Sequence, residues 1–265
     1  MRRQPSLPSA GAVLVLAWVL PVLCASPATA QTRPRTTRPA DRSPRVTLAI
    51  SGGSQTSTTE FDDRFDFELY KETATTRVQY PVEGGFLFDV GGGVRLWRGL
   101  GAGLAVSTFA VDGSASTSTS LPHPFFLNQP RQVDGDADQM RREETGIHVQ
   151  AQYSIPLSRR LQLTLMAGPS ILRVNQTLVS SVNYSQEYPY DTATFTGVER
   201  RTADGSAGGF NAGADVRWLI SRHVGVGAMV RVTRAEIDLD PGDNREAVTV
   251  DAGGTHVAAG LRFTF

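Results

Sequence analysis

The feature that most constrains the fold of this 265-residue chain is a strict alternation of side-chain character, clearest in its last segment, THVAAGLRFTF. Successive side chains of an extended strand point to opposite faces. One face of this segment is apolar and carries Val257, Ala259, Leu261, Phe263 and Phe265. The other is polar or small and carries His256, Ala258, Gly260, Arg262 and Thr264. The segment therefore predicts a strand that separates an apolar environment from a polar one.

Seven further segments alternate in the same way. Each is long enough for the ~9–11 residues that a tilted strand needs to cross a bilayer. Their apolar faces consist of Val46, Leu48 and Ile50; Phe86, Phe88, Val90, Val94 and Leu96; the weaker stretch 101–110; Ile147, Val149, Ala151, Tyr153 and Ile155; Leu161, Leu163, Leu165, Ala167 and Ile171; Phe210, Ala212, Ala214, Val216, Trp218 and Ile220; and Val224, Val226, Ala228, Val230 and Val232.

The connections between these segments decide between a soluble sandwich and a membrane barrel, since the alternation alone suits both. Three connections are tight, at 98–100, 158–160 and 221–223. The others, near 54–83, 112–144, 175–207 and 238–250, are long and polar. Outer-membrane barrels systematically place short turns at one end and long loops at the other. The sequence predicts an all-β fold, an eight-stranded antiparallel transmembrane β-barrel with short periplasmic turns and long extracellular loops.

The beginning of the chain indicates export. Two arginines precede an apolar run from Gly11 to Leu23, and a small-x-small pattern ends at Ala30. We interpret residues 1–30 as a signal peptide cleaved after Ala30; the alternative, a transmembrane anchor, needs ~20 apolar residues, more than this run holds. Residues 31–45, rich in proline and arginine, are predicted to be a disordered periplasmic tail. The barrel is assigned to 46–265.

The region from about Val46 to Phe265 resembles the small eight-stranded outer-membrane barrels of Gram-negative bacteria, of the OmpA/OmpX-like type. In that family the last strand ends on an aromatic residue, preceded by alternating apolar residues, which the outer-membrane assembly machinery recognises. The resemblance implies that Phe265, Phe263 and Leu261 form such an assembly signal. The chain departs from the OmpA pattern because no peptidoglycan-binding domain is expected after the barrel.

Charged residues on the polar faces fix the orientation of the strands. A slip of one residue would turn four arginines outward, and an arginine at the bilayer midplane costs about 2–4 kcal/mol, falling to about 0–1 kcal/mol near the interface. The predicted polar network of the lumen is Asp89, Arg95, His148, Asp215, Arg217, Arg231, His256 and Arg262. Two interpretations of this network stay open, a structural plug and a narrow porin-like channel.

No catalytic constellation stands out in the sequence. The four histidines, at 123, 148, 223 and 256, lack the His-x-Ser step of outer-membrane lipid A deacylases and the acidic partners of omptin proteases. The acidic stretch 60–72 does not fit an EF-hand and is interpreted as an extracellular hairpin rather than a calcium site. We expect no catalysis, no cofactor and no metal, with a lipid-modifying or proteolytic enzyme as the least favoured alternative.

Partner classes follow from charge and from loop composition. Acidic and basic residues balance at 26 each, so the chain has no net field that would select nucleic acid. The expected partners are outer-membrane lipid and lipopolysaccharide, and the assembly machinery, for a monomeric barrel. Tyr184, Tyr188 and Tyr190 favour an extracellular partner bound through the long loops. The predicted role is therefore structural or adhesin-like surface interaction, and a passive surface coat is the alternative to adhesion.

Overall fold

The computed structural model describes residues 45–56, 60–242 and 245–265. The predicted signal peptide and residues 31–44 of the predicted tail lie outside these ranges. The described residues form ten strands: β1 Val46–Thr56, β2 Glu60–Leu69, β3 Glu72–Pro81, β4 Gly85–Trp97, β5 Leu100–Leu121, β6 Arg131–Pro156, β7 Leu161–Gln186, β8 Ala193–Leu219, β9 Val224–Leu239 and β10 Val248–Thr264. Within them we find no helix long and apolar enough to cross a membrane.

Eight of these strands close into an antiparallel ring in the order β1, β10, β9, β8, β7, β6, β5 and β4, with β4 paired back to β1. The terminal segment pairs with the first strand, so that Ile50 lies opposite Leu261. Closure leaves no unpaired strand edge in the ring, which a lipid environment requires. The predicted eight-stranded antiparallel barrel is confirmed.

Tight turns join the ring strands at one end, which we call the turn end. They occupy residues 98–99, 157–160 and 220–223, close to the predicted positions. Serine side chains stabilise two of them: the Ser158 hydroxyl accepts from the Leu161 N–H at 3.1 Å, and the Ser221 hydroxyl accepts from the Val224 N–H at 3.1 Å. These side chains satisfy backbone donors that a tight turn would otherwise leave open.

The remaining two strands, β2 and β3, form the hairpin predicted for the first long connection. They pair with each other from Glu60 opposite Pro81 to Leu69 opposite Glu72. The hairpin joins the sheet by pairing residues 75–79 with residues 116–120 of β5. Its outward side chains are polar or charged, including Asp62, Arg64 and Arg77, so we place it beyond the apolar band of the ring. The number of strands in the apolar band stays at eight.

The other long connections differ from the prediction. Most of 112–144 and 175–207 is continuous strand, because β6 and β7 have 26 residues each and β8 has 27. In these connections the irregular segments among the described residues are 122–130, 187–192, 240–242 and 245–247. The extended parts also alternate, but with polar side chains outward and apolar ones inward, the reverse of the pattern that identifies a lipid-facing strand.

The molecule therefore has two regions along its long axis. The barrel wall comprises residues 46–53, 86–110, 145–171, 208–232 and 255–265, whose outward side chains are mainly apolar. The outer extension comprises residues 60–82, 111–142, 172–206 and 234–252. Its interior is a hydrophobic core that includes Tyr80, Val174, Leu178, Ile237, Leu239 and Val250, all exposed by 2% or less.

Candidate functional site: the barrel interior and the outer tip

The centre of the polar interior is a charged group that crosses the lumen. The Arg231 Nη2 donates to Asp89 Oδ2 at 2.6 Å, so that β9 is tied to β4 on the facing side of the ring. The Arg231 Nη2 and His256 Nδ1 lie 3.1 Å apart. Arg231 is fully buried, and the other two side chains are nearly so. These three predicted lumen residues form one hydrogen-bonded group in which the guanidinium is paired with a carboxylate.

A second group lies nearer the turn end. Arg262 donates to Asp215 Oδ2 through Nη2 at 2.6 Å and through Nε at 2.9 Å, and its Nη1 donates to the Ser51 hydroxyl at 2.7 Å. Beside it, Arg217 donates to the side-chain oxygen of Gln162. A guanidinium shared between a carboxylate and a hydroxyl has most of its donors satisfied. This group therefore links β10, β8 and β1 across the interior.

Arg95 also has inward parity, but it is only half-buried near the turns. Its backbone N–H donates to the Arg45 carbonyl at 2.7 Å, which fixes the start of β1 against the end of β4. The eight predicted lumen residues thus do not form one cluster, and the interior is divided into several smaller groups.

His148 forms a third group with residues that the sequence did not single out. Its Nε2 is 2.8 Å from the Ser107 hydroxyl and its Nδ1 is 2.8 Å from the Ser170 hydroxyl. Asn211 Nδ2 donates to the same Ser170 oxygen at 2.8 Å, and Gln150 Nε2 donates to Asn211 Oδ1 at 2.9 Å. All of these side chains are buried. Because both ring nitrogens are engaged, His148 is a structural member of a polar chain across β5, β6, β7 and β8.

A fourth polar group lies where the barrel wall meets the outer extension. Glu144 Oε1 accepts from Arg142 Nε at 2.7 Å, and Glu144 Oε2 accepts from Gln55 Nε2 at 3.0 Å and from the Gly253 N–H at 2.9 Å. Arg142 and Glu144 are buried. The sequence prediction missed this group because it assigned 112–144 to a loop. Arg142 and Glu144 do share the parity of His148 and Gln150, which was the available signal.

Apolar side chains fill much of the space between the polar groups. Leu87, Phe109, Met166, Met229 and Ala258 form a cluster inside the barrel wall. A cavity of about 70 Å³ lies against the charged residues on the turn side, lined in part by Gln152, Arg217 and Arg262. Since a water molecule takes about 30 Å³ in the liquid, this volume suits only a few waters. The interior is a packed polar core around a small cavity.

At the opposite end, two irregular segments form an exposed aromatic surface, which we call the outer tip. It consists of Phe125, Phe126, Leu127, Tyr188 and Tyr190. Leu127 is 72% exposed and Tyr188 is 81% exposed. The two segments touch through Phe125 and Tyr190, whose ring centroids are 5.6 Å apart in an edge-to-face arrangement. Large apolar side chains grouped in this way on a surface indicate a contact site.

Two buried side chains hold the outer tip in shape. Arg131 donates to the Pro122 carbonyl at 2.9 Å and to the Tyr190 carbonyl at 2.9 Å, so it ties the two segments together. His123 Nδ1 accepts from the backbone N–H groups of Phe125 at 3.1 Å and Phe126 at 3.2 Å. Neither residue was singled out as a site from the sequence. The exposed rings are therefore presented on an ordered backbone.

The three tyrosines that were predicted to contact a partner do not form one surface. Tyr188 and Tyr190 lie in the outer tip, with ring centroids 6.0 Å apart. Tyr184 instead lies on β7, half-buried, and packs against a small core of Ala74, Leu121 and Val133. Burial raises the pKa of the Tyr184 phenol. Its contribution is to the packing beneath the outer tip.

Comparison with known proteins defines the class of fold. No family model and no curated protein matches the chain. The outer-membrane protease OmpT from Escherichia coli aligns over 83% of this chain and 97% of its own, with a TM-score of 0.50 and 10% identity. Neisserial surface protein A aligns over 83% and 96%, with 14% identity and a TM-score of 0.38. The attachment invasion locus protein Ail of Yersinia pestis aligns over 83% and 99%, with 10% identity and a TM-score of 0.34. The fold is an outer-membrane-type β-barrel, and at these identities the likeness concerns the fold alone.

Proposed function

We propose that this chain is an outer-membrane β-barrel that presents its outer tip to an extracellular partner, with a plugged lumen and no catalysis. The observation that carries the proposal is the outer tip itself. Exposed aromatic side chains cost solubility, yet here two buried side chains, Arg131 and His123, organise the backbone that displays them. Rigid aromatic side chains give contact area at a low cost in conformational entropy.

Placement in the outer membrane is supported by the outward face of the barrel wall. Leu104, Ile171 and Phe210 are about three-fifths exposed, at 61%, 61% and 58%, although they are large and apolar. In water this band would be unfavourable by ~25 cal/mol for each Å² of apolar surface, and lipid removes that cost. Export by a signal peptide cleaved after Ala30 and contact with outer-membrane lipid and lipopolysaccharide belong to the same proposal.

A plugged lumen is favoured over a porin-like channel by the way the interior is filled. The Arg231 to Asp89 pair spans the ring, and the apolar cluster of Leu87, Phe109 and Met229 packs inside the same wall. An eight-stranded barrel has an interior just wide enough for side chains to fill. In a planar bilayer we expect no resolvable single-channel steps, and regular steps would establish the channel instead.

The absence of catalysis is proposed from the surroundings of the histidines. His148 is enclosed by two serine hydroxyls, and His256 is buried beside Arg231. At the outer tip, His123 Nε2 lies 3.7 Å from Asp191 Oδ1, but its Nδ1 already accepts two backbone N–H groups. Because Nδ1 acts as the acceptor, the proton of the neutral His123 ring is on Nε2, and His148 and His256 are buried inside the barrel. None of these three side chains therefore offers a basic nitrogen within reach of a substrate proton, which a general base needs. OmpT is a protease, and a proteolytic role here would require such a group at the rim.

The outer tip is tested by cell adhesion. Cells that display the wild-type chain are compared with cells that display Phe125→Ser, Phe126→Ser and Leu127→Ser together, on hydrocarbon, polysaccharide and cultured-cell surfaces. We expect the variant to lose several-fold in adhesion to at least one surface at equal amounts in the outer membrane. The matched control carries Thr73→Ser, Gln79→Ser and Thr202→Ser on the outward face of the outer extension. Equal adhesion of all three strains to every surface would refute a contact role.

Recognition by the assembly machinery is a separate part of the proposal. The Phe265 ring is 61% exposed, and its backbone pairs with Val46 at the closing seam of the barrel. Phe265→Ser keeps this pairing and removes only the ring. We expect it to slow outer-membrane assembly in pulse-labelled cells more than Leu96→Ser, which changes another exposed apolar side chain at the turn end. Equal rates would mean that the terminal aromatic residue is an ordinary lipid contact.

A further inference from the structure

Although the net charge of the chain is zero, its charged side chains are distributed unevenly along the barrel axis. At the turn end, the exposed charged side chains among the described residues are all arginines, namely Arg45, Arg98, Arg159, Arg160 and Arg222, which we call the turn collar. No Asp or Glu is exposed there within the same described residues. The outer extension has the opposite bias, with outward carboxylates such as Asp62, Asp134, Asp136 and Asp138. One end of the molecule is therefore basic and the other acidic.

The guanidinium groups of the turn collar are free to take a ligand. Within the described residues none of them forms an ion pair or donates a hydrogen bond to another side chain. Arg98 lies over the ring of Trp97, with 4.9 Å from its guanidinium carbon to the ring centroid. By contrast, Arg141 and Arg173 on the outer extension are paired with carboxylates at 2.7 Å and 3.0 Å. The collar thus carries uncompensated positive charge on every tight turn.

Aromatic side chains fix the level of the turn collar relative to a membrane. Trp97, Tyr153 and Trp218 are exposed at the turn end by 63%, 49% and 59%. Trp and Tyr in this arrangement mark the boundary between hydrocarbon and headgroups. Arg98 follows Trp97 directly, and Arg222 lies four residues beyond Trp218. The arginines therefore lie at or just beyond the plane that lipid headgroups occupy.

We propose that the turn collar binds the phosphate headgroups of anionic phospholipids in the leaflet that the short turns reach. This inference rests on the membrane placement proposed above and goes beyond it, because it assigns a lipid class to one end of the barrel. A guanidinium binds phosphate in a bidentate manner, and clusters of basic side chains near a bilayer bind anionic lipid. The acidic outer extension repels the same headgroups, so the charge polarity also sets a preferred orientation in the bilayer.

The test is lipid retention by the refolded full-length mature barrel in neutral detergent, measured by native mass spectrometry with equimolar phosphatidylglycerol and phosphatidylcholine. We expect the wild type to retain the anionic lipid preferentially. The variant Arg98→Gln, Arg159→Gln, Arg160→Gln and Arg222→Gln should retain it at least about tenfold less. The matched control, Arg64→Gln, Arg77→Gln, Arg141→Gln and Arg173→Gln, removes the same charge from the outer extension and should retain it as the wild type does.

Several outcomes would overturn the proposal. Equal retention by the wild type and the collar variant would do so, as would an equal loss in the control, which would indicate a net-charge effect. A third arm uses lipid A, whose phosphates have the same chemistry; stronger collar-dependent retention of lipid A would refute the assignment to phospholipid. If the Gln variant does not refold, Arg159→Lys with Arg160→Lys keeps the charge and should still lower retention, because lysine cannot bind phosphate in a bidentate manner.

If the proposed membrane placement were itself wrong, the experiments would give a different result. In that case the wild type would not insert into phosphatidylcholine vesicles and would show no heat-modifiable band. Insertion without a preference for anionic lipid would leave the barrel assignment intact and contradict only the turn collar.

Discussion

The barrel wall and the outer extension are built from the same strands with opposite patterns of polarity. Inside the wall, Arg231, His148 and Asn211 are exposed by 0%, 0% and 1%, and apolar side chains cover the outside. Inside the extension, Val174, Leu178 and Leu239 are exposed by 0%, 1% and 0%, and charged side chains cover the outside. The difference shows that the surrounding solvent, lipid or water, decides which face of a strand is apolar.

The change between the two regions takes place within single strands that run through both of them. On β7, the apolar side chains Leu165 and Ile171 point outward, whereas Leu172 and Leu178 point inward. On β6 an extra residue, Gln139, turns the side chains that follow it to the opposite face. Gln139 has a positive φ of 62° and lies at the register shift between β6 and residues 113–115 of β5. A strand can therefore continue out of the membrane in two ways. Its apolar residues can change from odd to even positions, or an inserted bulge residue can turn the following positions to the opposite face.

The largest effect is expected from breaking the ion pair inside the barrel wall. Asp89→Ala leaves the fully buried Arg231 without its carboxylate, and unpairing a buried charge costs about 3–5 kcal/mol. The measurement is the urea midpoint of the refolded barrel in phosphatidylcholine vesicles. Asp62→Ala, at an exposed position of β2, should stay within about 0.5 kcal/mol of the wild type. A loss of stability below 1 kcal/mol for Asp89→Ala would mean that the interior of the barrel wall is well hydrated. The two regions would then not differ in their dependence on buried charge.

A nearly equal but local effect is expected in the core of the outer extension. Leu239→Ala removes a fully buried side chain and leaves a cavity, which costs about 2–5 kcal/mol. Hydrogen exchange should speed up in the outer parts of β9 and β10 while amides of the barrel wall stay protected. Leu104→Ala, on the lipid face, should cost less because lipid chains fill the space. Faster exchange throughout the wall would show that the two regions unfold as one unit.

Substituting an outward residue with arginine compares the two environments directly. Ala228→Arg places a charge on the lipid face of β9 and should cost about 2–4 kcal/mol. Thr202→Arg, outward on β8 in the outer extension, should change stability by no more than about 0.5 kcal/mol. Both are read from urea midpoints in the same vesicles. Similar costs at the two sites would place lipid around the extension as well.

The barrel wall could be predicted from sequence because apolar side chains alternate with polar or small ones around residues such as Phe210 and Val226, and because tight turns of two to four residues separate the strands. The outer extension could not be predicted in this way. Its apolar side chains point inward, and its segments are polar overall, which is typical of loops. The inward parity of Arg142 and Glu144 was visible in the sequence, but the contacts of the fourth polar group were not. Gln55 and Glu144 meet only because the ring closes, 89 residues apart in sequence, and no local pattern specifies that contact.

The smallest effect concerns Asp63, where the hairpin meets the last connection of the outer extension. Arg245 Nη2 lies 3.6 Å from Asp63 Oδ2, and its guanidinium carbon lies 4.4 Å from the centroid of the Phe65 ring. Burial raises the pKa of the Asp63 carboxyl above its ordinary value of 3.8, and Arg245 offsets only part of that rise. The protonated form is thus favoured in the folded state, so its stabilising effect is complete at low pH and is lost as the pH rises through the raised pKa.

Asp63→Asn should therefore increase the hydrogen-exchange protection of the β2 and β3 amides at neutral pH, because a neutral amide avoids the cost of burying the carboxylate. The gain over the wild type should shrink as the pH falls below the raised pKa, where Asp63 is itself neutral. Asp66→Asn, at a half-exposed position of the same hairpin, serves as the control and should leave the protection of these amides at neutral pH unchanged. Lower protection of Asp63→Asn at neutral pH would mean that the attraction to Arg245 outweighs burial. The contact between the hairpin and the connection that precedes β10 would then be held by an ion pair, and the outer extension would share with the barrel wall a dependence on buried charge.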